Sequence, residues 1–223
     1  MFRRLRPTPR RIAVLVAATV GVGSGVAYAA SLSVASWHLW AGSQTLTKST
    51  CTLTGSSVAN DTYVDQAHSG TNYGTNTTML VKPDSGSQQW SFIHFDLSSC
   101  SIPTTGGADS ATLKLYISTA PHQNRTLTVT PVLTSFTATT LTWSQAQSLT
   151  YGSTTTTFTT GTTSGVTVSI PVTVDVDALF KNTSASYGWR ITDGGSSASS
   201  DTTTFNTLNA SSNIPQLVIS DEK

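Results

Sequence analysis

Two segments near the middle of the 223-residue chain carry the clearest alternation of apolar and polar side chains. From Ala111 to Ile117 every second side chain is apolar and the intervening ones are polar, which predicts a strand with one buried face. The segment 90–97 alternates in the same way, so a second half-buried strand is predicted there, with Ile93, Phe95 and Leu97 on its apolar face and Trp90, Phe92, His94 and Asp96 on the other. The loop between the segments contains Pro103, Gly106 and Gly107, which favour turns.

We expect these two strands to be neighbours that share a core and present one common outer face. That face would carry Trp90, His94, Lys114 and Tyr116. Aromatic rings stack on the C–H groups of sugars while polar tips bind hydroxyl groups, so such a face suits carbohydrate. The alternative interpretation, equally open at this point, is that a second sheet or a loop buries Trp90 and Phe92.

The remaining patterns predict many short strands separated by turn residues and no long helix. Segment 166–176 alternates cleanly despite Pro171, which suggests an edge or a bulge, and residues 177–180 could form one helical turn. The fold class expected is therefore all-β, an antiparallel two-sheet β-sandwich of the jelly-roll type. Further strands are expected at 44–53, 61–65, 78–82, 126–133, 154–160, 187–191, 203–208 and 216–220, and one beginning at 141.

The N-terminal residues have the features of a secretory signal peptide. Five arginines precede an apolar run over residues 12–26, and Ala27-Tyr28-Ala29 provides a small-x-small cleavage pattern. We therefore divide the chain into a signal peptide (1–29), a Ser/Thr-rich extension (30–58) and the sandwich (59–223). The expected location is secreted or extracellular, in a bacterium, with no membrane insertion after cleavage.

Charge argues against two classes of partner. Five of the 12 basic residues lie in the signal peptide, so seven remain against 11 acidic residues and the formal net charge is −4. Nucleic-acid binding needs a basic surface that neutralises phosphates, and an anionic membrane needs the same. Neither is an expected partner.

The two cysteines, Cys51 and Cys100, are predicted to form a disulfide because an even count in an exported chain favours pairing. The bond would tie the extension to the end of the 92–97 strand. Two buried free thiols are the alternative.

Catalysis is poorly supported by the composition, so the chain is not expected to be an enzyme. The only glutamate is Glu222, next to the C-terminus, whereas a glycosidase needs two carboxylates at a fixed separation. The four histidines lack zinc-ligand spacing and no cofactor motif occurs. A polysaccharide lyase that uses Tyr and His stays open. Structural calcium is also left open, with Asp61, Asp65 and Asp201 as donors, against the alternative of ordinary turn aspartates.

Eight short motifs, in order, resemble the DNRLRE-type domain, which is also classed with carbohydrate-binding module family 96. The resemblance covers roughly residues 59–220. The motifs are Asp-Thr-Tyr-Val at 61–64, Asn-Tyr-Gly at 72–74, Phe-Asp-Leu-Ser at 95–98 with Ile-Pro at 102–103, Ser-Ala-Thr-Leu-Lys-Leu-Tyr at 110–116, Leu-Thr-Trp at 141–143, Val-Asp-Val-Asp-Ala-Leu at 174–179, Tyr-Gly-Trp at 187–189 and Pro-Gln-Leu-Val-Ile at 215–219.

The resemblance implies a jelly-roll module on an exported protein that binds polysaccharide, in some members an anionic one such as alginate. Relatives usually carry basic residues where this chain has Trp90 and His94, which favours a neutral glycan or none. The function expected is a secreted, non-catalytic module that binds polysaccharide or cell-surface glycan. Trp90 and Tyr116 would stack on sugar rings, while His94, Lys114 and Arg190 would form hydrogen bonds.

The alternative function is a structural or adhesive extracellular protein whose sandwich packs on a surface protein without binding glycan. Its contacts would be Trp37, Trp40 and the Thr-rich strand at 154–160. Module-type sequences commonly accompany a catalytic domain, and this chain shows none, which favours the alternative.

Overall fold

The computed structural model describes residues 48–84, 86–100, 107–180, 187–195 and 201–222. The signal-peptide prediction, most of the extension, and Trp37 and Trp40 lie outside the described residues. Within them, no helix is long and apolar enough to cross a membrane.

Eleven strands and two α-helices occur in the part of the chain that the structure describes, with short 3-10 turns at Gly55–Ser57, Gln66–His68 and Leu97–Ser99. The strands are β1 Lys48–Thr54, β2 Val58–Asp65, β3 Thr78–Val81, β4 Gln89–Phe95, β5 Ser110–Thr119, β6 Thr126–Pro131, β7 Thr156–Thr159, β8 Val166–Pro171, β9 Trp189–Asp193, β10 Thr203–Asn206 and β11 Gln216–Glu222; the helices are α1 Trp143–Ala146 and α2 Thr173–Phe180.

These strands form two antiparallel sheets. Sheet I has the order β2-β4-β9-β6-β7, and sheet II has the order β1-β11-β5-β10-β3 with β8 on the other edge of β5. The chain crosses between the sheets at most of its connections, as in a jelly roll. The predicted all-β, two-sheet sandwich is therefore confirmed.

The core between the sheets comes from the inward faces of alternating strands. Leu113, Leu115 and Ile117 of β5 are fully buried, as the alternation predicted, and they pack in one cluster with Ile93 and Phe95 of β4. The strand predicted within residues 44–53 is present as the edge strand β1, which pairs with β11 over its whole length.

The expectation that the 90–97 and 110–118 strands are neighbours in one sheet is wrong. β4 pairs with β2 and β9 in sheet I, whereas β5 pairs with β11, β10 and β8 in sheet II. The connection between them crosses from one sheet to the other. Their inward faces share a core as predicted, and their outward faces point to opposite sides of the sandwich.

The Cys51–Cys100 disulfide is confirmed, with 5.7 Å between the two Cα atoms. It joins the middle of β1 in sheet II to the turn that follows β4 in sheet I. The bond therefore ties the two sheets together at one edge of the sandwich.

The prediction that the strand at 166–176 continues past Pro171 is wrong. The backbone N–H of Ala111 donates to Thr173 Oγ1 at 3.0 Å, and the chain then turns into α2. Val172 and Val176 are buried one helical turn apart, while Val174 is 67% exposed. Alternating valines thus served one face of a helix rather than one face of a strand.

The strand predicted to begin at 141 is also absent, because α1 begins there. Thr142 and Gln145 form a capping box in which each side chain bonds the backbone of the other. The resulting turn directs Trp143 and Ala146 into a buried cluster.

Candidate functional site

The five residues predicted to contact carbohydrate lie on two opposite faces. Trp90 and His94 on β4 and Arg190 on β9 belong to the outer face of sheet I, whereas Lys114 and Tyr116 on β5 belong to the outer face of sheet II. A single common face is therefore ruled out. The structure brings together the first three and separates them from the other two.

On the outer face of sheet I, antiparallel pairing sets the neighbours of the aromatic residues. Phe92 lies directly opposite Arg190 on β9 and Thr62 on β2, and Trp90 lies opposite Val64. Phe92 is fully buried and Trp90 is half-buried. The alternative in which these rings are covered is thus right for Phe92 and right in part for Trp90.

The cover is a loop rather than a second sheet. Residues 132–151, here called the covering segment, leave β6 and pack across the outer face as a second apolar cluster. Trp143 lies on Trp90 with 4.3 Å between ring centroids, and Phe136 meets Phe92 edge-on at 5.6 Å. Such pairs add about 0.5–1.5 kcal/mol beyond the area they bury.

Two asparagines hold the covering segment at Ala138. Asn72 donates from Nδ2 to the carbonyl oxygens of Ala138 (2.6 Å) and Leu141 (2.8 Å), and Asn60 Oδ1 accepts from the N–H of Ala138 at 2.8 Å. Gly74 packs so closely that an added Cβ would lie 2.2 Å from the Ala138 oxygen. The Asn-Tyr-Gly motif is therefore an attachment point for the covering segment.

At the open margin of the covering segment, an arginine lies between two aromatic rings. Arg190 Cζ is 3.7 Å from the ring centroid of Tyr151 and 4.8 Å from that of Trp90. A guanidinium stacked in this way gains about 0.5–2 kcal/mol per ring from the ring quadrupole. Burial raises the pKa of Tyr151, and the charge of Arg190 opposes that rise. We call this group, Trp90, Arg190 and Tyr151, the Arg190 stack.

No carboxylate neutralises the cation in the stack. Arg190 forms no ion pair with any described residue, and its side chain bonds to the Tyr151 hydroxyl. All three members of the stack are half-buried, so each retains solvent-facing surface. A bound molecule can therefore meet a ring face and a charged donor at one place.

A strip of threonine hydroxyls lies on the same face, beside the stack. Thr192 is two residues from Arg190 on β9 and hence points to the same side. Thr128 pairs with Thr192 on one side and with Thr157 on the other, so the three side chains form a row across β9, β6 and β7. None of them is buried, and they supply neutral donors and acceptors.

His94 lies at the other end of this face, apart from the stack. Its ring centroid is 6.5 Å from those of Phe136 and Tyr187. Burial lowers the pKa of His94, and nearby Asp96 opposes that shift, so the neutral imidazole is favoured at pH 7. His94 is therefore a neutral polar group among aromatic rings.

The aspartates considered for calcium do not come together. The N–H of Leu208 donates to Asp61, His68 and Gln89 bond to Asp65, and Arg125 Nη1 lies 3.6 Å from Asp201. No group of three or more His, Cys, Asp or Glu side chains suited to an ion occurs among the described residues.

Sequence reasoning missed Tyr151 and the whole covering segment. A readable signal was present, because Thr142 followed by Gln145 three residues later is a capping-box spacing. It marks a helix start at the place where a strand was predicted. Nothing in the sequence indicated that Tyr151 would meet Arg190, which lies 39 residues further along the chain.

The arrangement of rings, one cation and hydroxyl groups suits the recognition of a sugar, whose ring faces are apolar and whose edges are polar. A comparison with curated proteins found no match. The sequence model of carbohydrate-binding module family 96 matches residues 52–221, which covers both sheets from β1 to β11. The chain belongs to carbohydrate-binding module family 96.

Proposed function

We propose that this chain is a secreted, non-catalytic module that binds polysaccharide at or near a bacterial cell surface. The observation that carries the proposal is the Arg190 stack, which is half-exposed beside the threonine strip in a member of a carbohydrate-binding family. The ring faces of Trp90 and Tyr151 would contact the sugar ring. The guanidinium and the hydroxyls would bind its oxygens.

The signal-peptide pattern of residues 1–29 supports secretion, and the single glutamate supports a non-catalytic role. Affinity gel electrophoresis with a panel of plant, algal and bacterial polysaccharides tests binding directly, because a bound polymer slows migration of the native protein. Failure of every polymer to retard the protein would count against the proposal.

Arg190→Lys and Arg190→Gln locate the site. Arg190→Lys keeps the charge and loses the planar arrangement of donors, so we expect it to weaken binding. Arg190→Gln also loses the charge, so we expect its affinity for polysaccharide to fall about tenfold, as for a lost charge-assisted hydrogen bond. Lys48→Gln is the matched control, since Lys48 is an exposed cation on β1 of sheet II. Equal binding by Arg190→Gln and the native protein would place the site elsewhere.

The structural or adhesive function is the second candidate, and one observation favours it. Among the strands that the structure describes, β7 is the last of sheet I, and it exposes Thr157 and Thr159, so its outer edge offers a partner protein a strand to pair with. Multimers in sizing chromatography together with a blank polysaccharide panel would favour this function over glycan binding.

A further inference from the structure

The outer face of sheet II carries a pocket of its own, remote from the Arg190 stack because it lies on the other side of the sandwich. Its volume is about 80 Å³. The pocket spans three paired strands, since Lys114 lies opposite Gln216 on β11 and Ser169 on β8, and Tyr116 lies opposite Thr167. It is lined by Lys114, Tyr116, Thr167, Asn213, Ile214 and Gln216.

Among the described residues, Lys114 is the only charged one that lines this pocket. The residue is half-buried, and its side chain forms no ion pair with any other described residue. An ammonium group that has no bonding partner among the described residues favours an anionic ligand, because its charge is not neutralised and its three donors are available. The rest of the chain after residue 29 carries more acidic than basic residues, so the pocket is a local exception.

The walls of the pocket are well fixed. Asn213 adopts a left-handed conformation with φ of 52° in the loop before β11, and Thr54 Oγ1 donates to the Pro215 carbonyl at 3.1 Å at the end of that loop. Gly165, with φ of 80°, leaves room for the Tyr116 hydroxyl, which is 3.6 Å from the position of an added Cβ. Tyr116 is half-buried, so part of its surface is open at the pocket.

We infer that this pocket is a second glycan site, which receives an anionic substituent, a carboxylate or a sulfate, of an acidic polysaccharide. Its size admits several water-sized groups and hence such a substituent rather than a whole sugar ring. Lys114 binds the anion, Asn213 and Gln216 bind neighbouring hydroxyls, and the sugar ring lies against Tyr116.

The two sites face away from each other, so one copy of the domain can hold two polysaccharide chains at once. This bridging activity rests on the proposed function for its first site and on the sheet II pocket for its second. Two cations on opposite faces of one sandwich make the domain bivalent without any oligomer.

The pocket is tested first in a background without the other site. Arg190→Gln, Arg190→Gln/Lys114→Gln and the matched control Arg190→Gln/Lys48→Gln are compared by affinity electrophoresis in polygalacturonate (carboxylate), κ-carrageenan (sulfate) and laminarin (neutral). We expect at least one acidic polymer to retard Arg190→Gln and its Lys48 control. Removal of Lys114 should weaken that retardation about tenfold. Two results would overturn the pocket assignment. One is that Arg190→Gln/Lys114→Gln is retarded as strongly as Arg190→Gln, and the other is that neither acidic polymer retards Arg190→Gln.

Bridging is tested with latex beads that carry all three polymers and with the monomeric fraction of each protein. The native protein should agglutinate the beads, whereas Lys114→Gln and Tyr116→Ala should bind them through the other face without agglutination. Agglutination by Lys114→Gln equal to that of the native protein, or none by the native protein, would overturn bivalency. Failure of the proposed function would give a different result. In that case Arg190→Gln would bind as strongly as the native protein to the polymers that still bind Lys114→Gln.

Discussion

The attachment of the covering segment can be broken at a single amide. Asn72→Ala removes two donors whose acceptors, the carbonyls of Ala138 and Leu141, belong to buried residues, and it removes the bond from the Gly74 N–H to Asn72 Oδ1. Each lost hydrogen bond costs about 1 kcal/mol and each buried carbonyl left without a donor adds to that. We therefore expect the free energy of unfolding to fall by about 2–4 kcal/mol.

The loss is a large share of a total that is about 5–15 kcal/mol for a domain. It corresponds to a decrease in Tm of roughly 5–15 °C for a chain of this size. Urea unfolding followed by tryptophan fluorescence measures it, because Trp143 lies in the segment that Asn72 holds and Trp90 lies beneath it. Since the covering segment also carries Tyr151, polysaccharide retardation should weaken in the same variant.

Two further variants make the result interpretable. Asn72→Asp keeps the size and places acceptors against the two carbonyls, so it should destabilise at least as much as alanine. Asn209→Ala is the matched control, since Asn209 makes its side-chain amide bonds at the exposed surface and should cost about 0.5 kcal/mol or less. An Asn72→Ala protein within about 0.5 kcal/mol of the native one would refute the attachment.

Three further predictions concern other parts of the fold. Gly188→Ala should lower the free energy of unfolding by more than about 3 kcal/mol, because Gly188 has φ of 101° and an added Cβ would lie 2.1 Å from the Ile93 oxygen. The control Gly86→Ala, with φ of 87° and open space around it, should lower it by about 1 kcal/mol in the same thermal melts. Equal losses in the two variants would refute the close approach at Gly188. Arg125→Met should destabilise by about 3–5 kcal/mol in urea, because it leaves the buried Asp193 without its two-bond partner; a loss under about 1 kcal/mol would contradict this. Burial raises the pKa of Tyr63 to about 12, so the native protein should lose stability between pH 10 and pH 12, where this tyrosine ionises in the unfolded chain and not in the folded one. Over that range the free energy of unfolding of Tyr63→Phe should fall by about 2–3 kcal/mol less than that of the native protein. Parallel pH profiles of the two proteins would contradict this prediction.

The sequence predicted which side chains of a strand face inward better than it predicted which strands pair. On β5 the alternation from Ala111 to Ile117 was confirmed at every position, because one face is buried along the whole strand. On β4 the inward face was right, yet the pairing of β4 with β5 was wrong. Periodicity describes the faces of one strand and carries no information about the sheet to which the next strand belongs.

The helices show a second limit of the pattern. Valines at 172, 174 and 176 fit a strand by their β-branched side chains, and tertiary contacts at Ala111 and Trp189 decided for a helix. Trp189 Nε1 donates to Asp175 Oδ2 at 2.8 Å, which fixes α2 against sheet I. A partner so far along the chain cannot be read from local composition.

Of the predicted site, residue types were foreseen more readily than their grouping. Trp90 and Arg190 were both named, and their contact arises from strand pairing between β4 and β9 that the motifs did not reveal. The roles of His94, Lys114 and Tyr116 toward carbohydrate stay predictions. Tyr151 completes the stack from a segment that is attached to the sandwich through Asn72, a residue that the sequence analysis named only as part of the Asn-Tyr-Gly motif.

The pairing of Lys48 with Glu222 brings both ends of the described chain to one corner of sheet II. A pull on those ends would therefore peel β1 from β11 one residue pair at a time, the mode in which hydrogen-bonded strands resist least. The peeling stops at the fourth pair, where Cys51 is covalently linked to Cys100 and the load passes into sheet I. The disulfide therefore lets the domain resist tension applied at the two ends of the described chain, and its reduction would let the separation of β1 from β11 continue past Cys51.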